Sequence, residues 1–275
     1  MLGRALGREF PEAQLFTRAA LDITDGTALR AALGPDTRIV LNAAADTRVD
    51  AAETDPHHVL VNAVAVGALA ALCRKLDARL VHVSTDYVFS GKGIRPYRED
   101  DPVDPVNTYG RAKLMGERRA FEEGHEVLVL RTSWVFGTGG VNFVDTILKK
   151  VESGARDVPV VDDQVGRPTF VADLAQAIHR LVERRVRGVV HFANAGEATW
   201  HELASEAIAR EGHRDVCVRP VATSAFPRPA RRPRWSVLDT SLYESLTGEA
   251  PRSWREALGD YLDDRRAAAP ARPAR

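Results

Sequence analysis

The stretch RIVLNAAADTRVDAAETDPHHVLVNAVAVGALAALCRKLDARLVHVSTDYVF, residues 38–89, decides the fold of this chain. It contains the short apolar runs 38–42 and 79–84, and the alanine-rich apolar segment 59–76 lies between them. Short continuous apolar runs are typical of strands buried in a parallel sheet, and the longer segment is typical of a crossover helix. The stretch therefore predicts a β-α-β unit.

Strands and helices also alternate after residue 89, and we expect a further strand before residue 38. The further segments that we predict are helices at 109–123, 143–152, 170–185 and 200–211 and strands at 14–17, 127–132 and 187–193. Alternating strands and helices favour a parallel sheet covered on both faces. The predicted fold class is α/β, with a doubly wound parallel (Rossmann-type) sheet and a smaller C-terminal substrate lobe.

Turn-rich segments divide the later part of the chain. We assign 1–136 and 170–195 to the dinucleotide-binding domain, 137–169 and 196–264 to the substrate lobe, and 265–275 to a disordered tail. The tail assignment rests on a composition of alanine, proline and arginine, which offers too few apolar side chains to form a core.

Composition indicates a globular protein without a charged surface that would attract a polyanion. The 275 residues are 44% hydrophobic, and 38 basic residues balance 38 acidic ones. We expect no nucleic-acid partner and no membrane partner, because no apolar run approaches the roughly 18–20 residues that span a bilayer. The two cysteines, Cys73 and Cys217, lack metal-ligand spacing, so we expect reduced thiols, no metal site and a cytoplasmic location.

The segment YGRAK, residues 109–113, carries the chemistry. On a helix, Tyr109 and Lys113 lie on the same face, and a nearby ammonium lowers the pKa of a phenol toward neutral pH. Thr85 follows the predicted strand 79–84 and supplies a hydroxyl at its carboxyl end. These three side chains predict a site that protonates the oxygen of a carbonyl during its reduction. The alternative interpretation is a half-buried tyrosine beside a solvated lysine.

The chain resembles the dTDP-4-dehydrorhamnose reductase family of extended short-chain dehydrogenases. The motifs that carry the resemblance run in family order across nearly the whole chain: NAAADTRVD (42–50), STDYVF (84–89), YGRAK (109–113), RTSWV (131–135), DQVGRPT (163–169) and ARRP (230–233). The resemblance implies reduction of the C4 ketone of a dTDP-linked 4-keto-6-deoxysugar with NADPH. Tyr109 would be the proton donor, Thr85 would hold the oxygen and Lys113 would bind the nicotinamide ribose.

The resemblance also implies the binding residues. The predicted cofactor-binding residues are Met1, Leu2, Arg18, Asp22, Ile23, Ala44, Ala45, Asp46, Thr47, Val83, Tyr109 and Lys113. The predicted substrate-binding residues are Thr85, Asp86, Trp134, Asn142, Gln164, Arg231 and Arg232. Guanidinium groups match the geometry of a diphosphate, and an indole can cover the face of a sugar or nicotinamide ring.

The cofactor and assembly expectations follow from the same resemblance. Arg18 stands after segment 14–17, where a carboxylate would favour NAD, and its guanidinium can accept a 2′-phosphate. NADPH is therefore preferred, with NADH as the alternative cofactor. The family also includes magnesium-bridged dimers, so magnesium and a homodimer are allowed, although no magnesium ligand is mapped here.

The N-terminus departs from the family pattern. The chain starts at Met1 within the last part of the glycine-rich motif, so the first strand and the early glycines of that motif are not in it. A dinucleotide fold uses that turn to bind the pyrophosphate at a helix N-terminus. We interpret the start as mis-assigned or truncated.

Two other functions are consistent with parts of the pattern. One is another nucleotide-sugar epimerase or dehydratase of the extended short-chain family, which would keep NAD bound through its cycle. The other is a non-catalytic regulatory subunit that resembles the one of methionine adenosyltransferase. The complete set of Thr85, Tyr109 and Lys113 favours an enzyme.

Overall fold

The structure, a computed structural model, describes residues 1–268. Its strands are β1 (Ile39–Asn42), β2 (Arg79–Thr85), β3 (Val127–Thr132), β4 (Val135–Phe136), β5 (Asp157–Val161), β6 (Val165–Gly166), β7 (Thr169–Phe170), β8 (Gly188–His191), β9 (Ala198–Thr199) and β10 (Cys217–Val221). Its helices are α1 (Leu2–Glu9), α2 (Gly26–Ala32), α3 (His57–Val59), α4 (Ala65–Lys75), α5 (Thr108–Glu123), α6 (Phe143–Glu152), α7 (Val171–Glu183), α8 (Trp200–Arg210), α9 (Ser241–Thr247) and α10 (Trp254–Ala268). A π-helical turn, Leu60–Val64, joins α3 to α4.

A parallel sheet in the order β1-β2-β3-β8 forms the centre of the described part. Along each strand the side chains point alternately into two apolar layers, one on each face of the sheet. Leu80 and Val129 pack with Val66 of α4 on one face, whereas Leu128 packs with Leu174 of α7 on the other. The sheet is therefore covered by helices on both faces, and the predicted α/β doubly wound class is confirmed.

Smaller strand pairs connect the segments that follow β3. Strand β5 pairs in parallel with β10, β4 pairs in parallel with β7, and β6 pairs antiparallel with β9. The last two pairs place the residues after β3 next to the turn-rich segment 162–169 and the start of α8. This arrangement brings Trp134 and Trp200 together at one edge of the central sheet.

The helical stretch His57–Lys75 corrects one expectation. Its 19 residues are long and apolar enough to cross a membrane by length and composition, whereas we expected no such run. In the fold, 56% of its apolar window is buried. Its buried face includes Val66, Leu69 and Cys73, which pack against the sheet. The apolar composition is that of a helix covering the sheet core.

Residues 14–17 are a second correction, because they form no strand. Leu15 and Phe16 are largely exposed, and β1 is the edge strand of the sheet, with no ladder to 14–17. A strand is held by its backbone partners, and a short apolar run without them stays irregular. The sequence pattern alone could not supply that partner.

The C-terminal boundary also differs from the prediction. Helix α10 continues to Ala268 and so includes the first residues of the predicted tail 265–275. Arg265 pairs with Glu152 at 2.7 Å and Arg266 pairs with Glu211 at 2.6 Å, and these contacts fix the last helical turns against α6 and α8. Residues 269–275 lie outside the described part.

Gly116 allows α5 to cross the π-helical turn at close range, and this contact gives a test of the packing. A Cβ at Gly116 would overlap the carbonyl oxygen of Asn62. We expect Gly116→Ala to lower the free energy of unfolding by about 1–3 kcal/mol, because backbone must move to admit the methyl group. Urea denaturation of both proteins measures the difference.

Gly3→Ala is the matched control. Gly3 also lies in a helix, but a Cβ there would meet no atom within 4 Å. Alanine favours a helix over glycine, so this variant should be as stable as the parent protein or slightly more stable. Equal effects of the two substitutions would contradict the close approach at Gly116.

Candidate active site

The N-terminus of α5 is fixed from two sides, and this positions Tyr109 and Lys113. The Asn107 side chain accepts a hydrogen bond from the amide of Gly110 at 2.8 Å and donates one to the carbonyl oxygen of Arg231 at 2.8 Å. The Glu53 carboxylate accepts from both the amide and the hydroxyl of Thr108, each at 2.8 Å. Asparagine is a preferred N-cap, and its amide here also ties α5 to the 230–232 segment.

Thr85, Asp86 and Tyr109 meet at the carboxyl end of β2. The Thr85 hydroxyl donates to Oδ1 of Asp86 at 3.0 Å and accepts from the amide of Tyr87 at 3.2 Å. The rings of Tyr109 and Tyr87 meet edge to face, with centroids 6.0 Å apart. All three predicted residues are buried. The strand end is the usual ligand-binding edge of a parallel sheet.

The pKa of Tyr109 does not follow the expected direction. Burial raises it, the nearby carboxylate of Asp86 raises it further, and a hydrogen bond with Thr85 acts in the opposite direction. The Lys113 ammonium is directed elsewhere, since its Nζ donates to the carbonyl oxygen of Val83 at 2.7 Å. In this structure the phenol therefore keeps its proton well above neutral pH. We predicted that Lys113 would lower the pKa of Tyr109, and the structure shows no such lowering.

Lys113 is itself strongly perturbed. Burial lowers the pKa of its ammonium to about 8, and the carboxylate of Glu117 acts in the opposite direction. Glu117 lies one turn further along α5 and is paired with Arg131 of β3, with Nη2 and Oε2 2.7 Å apart. Both members of this ion pair are buried. Glu117 thus faces both Arg131 and Lys113, and its effect on Lys113 is smaller than that of burial.

Asp86 is perturbed toward the neutral form. Burial raises its pKa to about 7, and hydrogen bonds with the side chains of Ser236 and Thr85 only partly oppose this. Its Oδ2 has no hydrogen-bond partner among residues 1–268. A carboxylic acid in this state can donate a hydrogen bond, which would free the Thr85 hydroxyl to donate toward a ligand.

A cavity of about 800 Å³ lies beside these residues. Tyr87, whose ring meets that of Tyr109, lines it. The other lining side chains include those of Phe143, Gln164, Trp200, Arg231 and Arg232. Apolar and basic side chains both line it, and a cavity with convergent polar groups and perturbed titratable residues nearby is typical of a ligand site. Its size suits a ligand much larger than a simple sugar.

Trp200 lines the cavity and is stacked on a second indole, that of Trp134. The rings of Trp134 and Trp200 are parallel, with centroids 3.6 Å apart. Gln164 holds the outer ring, because its Oε1 accepts a hydrogen bond from Nε1 of Trp200 at 3.1 Å. Trp134 has a positive φ of 48°, and a Cβ at Gly166 would overlap its ring. The glycine and the unusual backbone of Trp134 together allow the stack.

The predicted cofactor residues fall into three groups. Ala44, Ala45, Asp46 and Thr47 follow β1, and Val83 lies next to Lys113. Met1 and Leu2 begin α1, and the amino group of Met1 donates to the carbonyl oxygen of Gly139 at 3.4 Å. Arg18 is exposed and lies near Asp22, whose carboxylate bonds Thr24, while Ile23 packs against the core beside α4.

One cluster of metal-ligand side chains exists among the described residues. Ligand atoms of Asp46, Asp55 and His58 lie within 4.8 Å of one another, a grouping that the sequence did not reveal to us. The guanidinium of Arg48 is 2.5 Å from Oδ2 of Asp46 and 3.5 Å from Oδ2 of Asp55. It pairs with both carboxylates but carries only one positive charge, and Nε2 of His58 lies 3.3 Å from Oδ2 of Asp46.

The chain is similar to known proteins over most of its length. The family model described as RmlD substrate binding domain matches residues 1–267. A dTDP-4-dehydrorhamnose reductase of Streptomyces griseus is 42% identical over 270 residues, covering 94% of this chain and 88% of that protein. This chain belongs to the dTDP-4-dehydrorhamnose reductase family.

Solved structures of the family have the same fold. A dTDP-4-dehydrorhamnose reductase of Clostridium acetobutylicum is 34% identical, with a TM-score of 0.91 and coverage of 96% of both chains. The reductase of Bacillus anthracis in complex with NADP is 31% identical, with a TM-score of 0.87 and coverage of 94% of this chain and 95% of that one. The resemblance read from the sequence motifs is confirmed.

The predicted substrate residues of this reductase-family chain divide between the cavity and its supports. Gln164, Arg231 and Arg232 line the cavity, and Trp134 supports Trp200 from behind. Asn142 does not line it. Its Oδ1 caps α6 at the amide of Asp145, and its Nδ2 donates to the carbonyl oxygen of Gly137 and the hydroxyl of Tyr261. Each end of its amide is thus engaged within the protein.

Sequence reasoning missed several residues that shape the site. The sequence does hold a pattern that could have indicated Glu117, which stands four residues after Lys113 on the same helix face. Its partner Arg131 lies in the RTSWV motif. Trp200 had no signal, since its contact with Trp134 depends on the β6–β9 pairing. His82 also had none, because a histidine inside a strand is ordinarily a core residue.

Asp86 gives a pH-dependent test of this site. The pKa of the folded state is about 7, well above the usual value of about 3.9 for the unfolded chain. Below about pH 4 Asp86 is protonated in both states and contributes no pH dependence. As the pH rises to 7 the unfolded chain loses the proton first, so the folded state is progressively destabilised.

Asp86→Asn should remove that loss. Relative to the parent protein, the variant should gain stability between pH 4 and pH 7, and the gain should level off above the folded pKa of about 7. Urea denaturation at pH 4, 5.5, 7 and 8 measures it. Asp77→Asn, at an exposed carboxylate, is the control and should show no comparable trend. A constant difference at all pH values would contradict the raised pKa.

Proposed function

We propose that this chain reduces the C4 ketone of a dTDP-linked 4-keto-6-deoxyhexose with NADPH. The observation that carries the proposal is the meeting of Thr85, Tyr109 and Lys113 at the carboxyl end of β2, beside the large cavity. Two family relatives support it, since one bears the name of this reductase and the other contains NADP.

The residues at the sheet edge fit a nicotinamide cofactor. The Lys113 ammonium has three N–H groups, and Val83 and His82 receive two of them at most, so one remains for a ribose hydroxyl. The small side chains of Ala44 and Ala45 allow a flat ring to approach the backbone after β1. When bound, the cofactor supplies the hydride.

Tyr109 provides the proton for the substrate oxygen. Its raised pKa keeps the phenol protonated at neutral pH, and an alkoxide that develops nearby is basic enough to take that proton. Thr85 would donate a hydrogen bond to the same oxygen when Asp86 is protonated and donates to Thr85 in turn. Both groups are preorganised by the strand end and by the N-cap of α5.

The cavity would receive the nucleotide diphosphate. Arg231 and Arg232 lie along it, and Arg232 is held by Asp50, with Nη2 and Oδ1 3.0 Å apart. Bidentate guanidinium contacts suit phosphate oxygens, and the Trp134–Trp200 stack offers a flat apolar wall. We accordingly keep the division into a dinucleotide domain and a substrate lobe at 137–169 and 196–264.

A reducing compartment fits the cysteines of the chain. Cys73 is buried and Cys217 is exposed, and neither forms a disulfide. Free thiols of this kind are usual in the cytosol, where disulfides are rare. We propose that the enzyme acts in the cytoplasm.

Tyr109→Phe tests the proton donor. The variant should lose most turnover, by a factor of about 100 or more, while its affinity for the dTDP-sugar stays close to that of the parent protein. NADPH oxidation with a dTDP-4-keto-6-deoxyhexose measures turnover, and titration calorimetry measures affinity. Tyr97→Phe is the control, since Tyr97 is also buried and its hydroxyl lies 3.3 Å from that of Ser90. Unchanged turnover in folded Tyr109→Phe would refute the assignment.

Arg18→Ala tests the preference for NADPH. Removing the exposed guanidinium should raise the KM for NADPH several-fold and leave the KM for NADH unchanged, because only NADPH carries the 2′-phosphate. Arg30→Ala, at an exposed arginine on α2, is the control and should alter neither value. Equal effects on both cofactors would remove Arg18 from the phosphate site.

A further inference from the structure

Asn42, His82 and Lys113 form a buried row across β1, β2 and α5. Asn42 stands opposite His82 in the sheet register, and Lys113 reaches the other side of the imidazole. The three residues are 4%, 0% and 2% exposed. Buried polar groups must be hydrogen-bonded to one another, so the positions of their hydrogen atoms are linked.

The orientation of the Asn42 amide fixes the tautomer of His82. The amide of Ala44 donates to Oδ1 of Asn42 at 3.2 Å, so Nδ2 of Asn42 faces Nδ1 of His82 at 3.1 Å. An amide nitrogen can only donate, and Nδ1 must therefore accept. Burial lowers the pKa of His82 well below its ordinary value, so the ring is neutral and carries its hydrogen on Nε2.

This tautomer bears directly on Lys113. Nε2 of His82 lies 3.4 Å from Nζ of Lys113. An N–H group pointing at an ammonium is unfavourable, whereas the lone pair of a neutral amine can accept from it. The carbonyl oxygen of Val83 accepts from Nζ in either state, and it bonds the ammonium more strongly, so it opposes the effect of the imidazole on Lys113.

We propose that Asn42 and His82 are positioning residues that set the protonation state of Lys113 through the tautomer of the imidazole. The other charged groups on this side are Glu117 of α5, which faces Lys113, and Arg131 of β3, which pairs with Glu117. The effect on turnover rests on the proposed function, in which the ammonium of Lys113 binds the cofactor ribose. The tautomer linkage itself does not depend on that function.

The protonation state of Lys113 can be read directly by NMR. The chain has five lysines, and Lys75, Lys92, Lys149 and Lys150 are all exposed. In protein labelled with 13C at the lysine Cε, Lys113→Met identifies the Lys113 signal. We expect it to titrate with a pKa of about 8, below the ordinary lysine value of about 10.4. Titration of the Lys113 signal at that ordinary value would overturn the proposal.

Asn42→Asp reverses the tautomer with little change of shape. The carboxylate accepts from Nδ1–H of His82, which leaves Nε2 bare to accept from the ammonium, so the pKa of Lys113 should rise by about one unit or more. Its charge alone would also raise that pKa. The same substitution in a His82→Phe background separates the two effects, and most of the rise should disappear there. A rise of equal size without the imidazole would overturn the proposal.

Asn42→Ala provides a test that leaves His82 in place and adds no charge. The imidazole is then free to present a bare Nε2, and the pKa of Lys113 should again rise. If His82→Phe does not fold, Asn42→Ala decides between the two effects. A rise of the Lys113 pKa in both Asn42 variants supports the proposed role of the His82 tautomer. A rise in Asn42→Asp alone shows a charge effect and overturns the proposal.

The pH profile of kcat/KM distinguishes this proposal from the proposed function. The alkaline limb should move to higher pH together with the NMR pKa of Lys113 in both Asn42 variants. Absence of turnover in the parent protein, with the NMR shifts present, would refute the function and leave the tautomer linkage intact. Normal turnover without NMR shifts would refute the linkage alone.

Discussion

The buried ion pair between Glu117 and Arg131 is the contact on which the site depends. It joins α5 to β3 with a nitrogen-to-oxygen distance of 2.7 Å, on the same helix face as Tyr109 and Lys113. Removing one partner of such a pair leaves an uncompensated buried charge, so the helix cannot rotate or slide without large cost. The pair therefore fixes the position of Tyr109 along the axis of α5, relative to the end of β2.

Close backbone packing completes this constraint. Gly110 and Gly116 both stand where a Cβ would overlap a carbonyl oxygen, that of Tyr87 in one case and that of Asn62 in the other. The ion pair sets the register of α5, and the glycines allow its close approach to the strand end and to the π-helical turn. A site that must hold a proton donor within hydrogen-bond reach of a substrate needs both.

The sequence predicted what local pattern and motif spacing determine. Apolar runs located β2 and β3, and the Tyr109–Lys113 spacing placed both residues on one helix face, because period and chirality are properties of the chain itself. It failed at 14–17, where a strand needs a partner, and it held no sign that the Asn142 amide donates to the hydroxyl of Tyr261 on a distant helix. Long-range partners of this kind leave no local pattern.

The pKa values of the site residues were the property least predictable from the sequence, because they depend on burial. A motif shows that an ammonium lies near a phenol, but removal from water acts on every charge in the site. Here it raises the pKa of Asp86 to about 7 and lowers that of Lys113 to about 8. Because both pKa values lie near 7, the ionised and neutral forms of each group differ little in free energy at neutral pH. Small contacts, such as the tautomer of His82, can then decide the charge of the site.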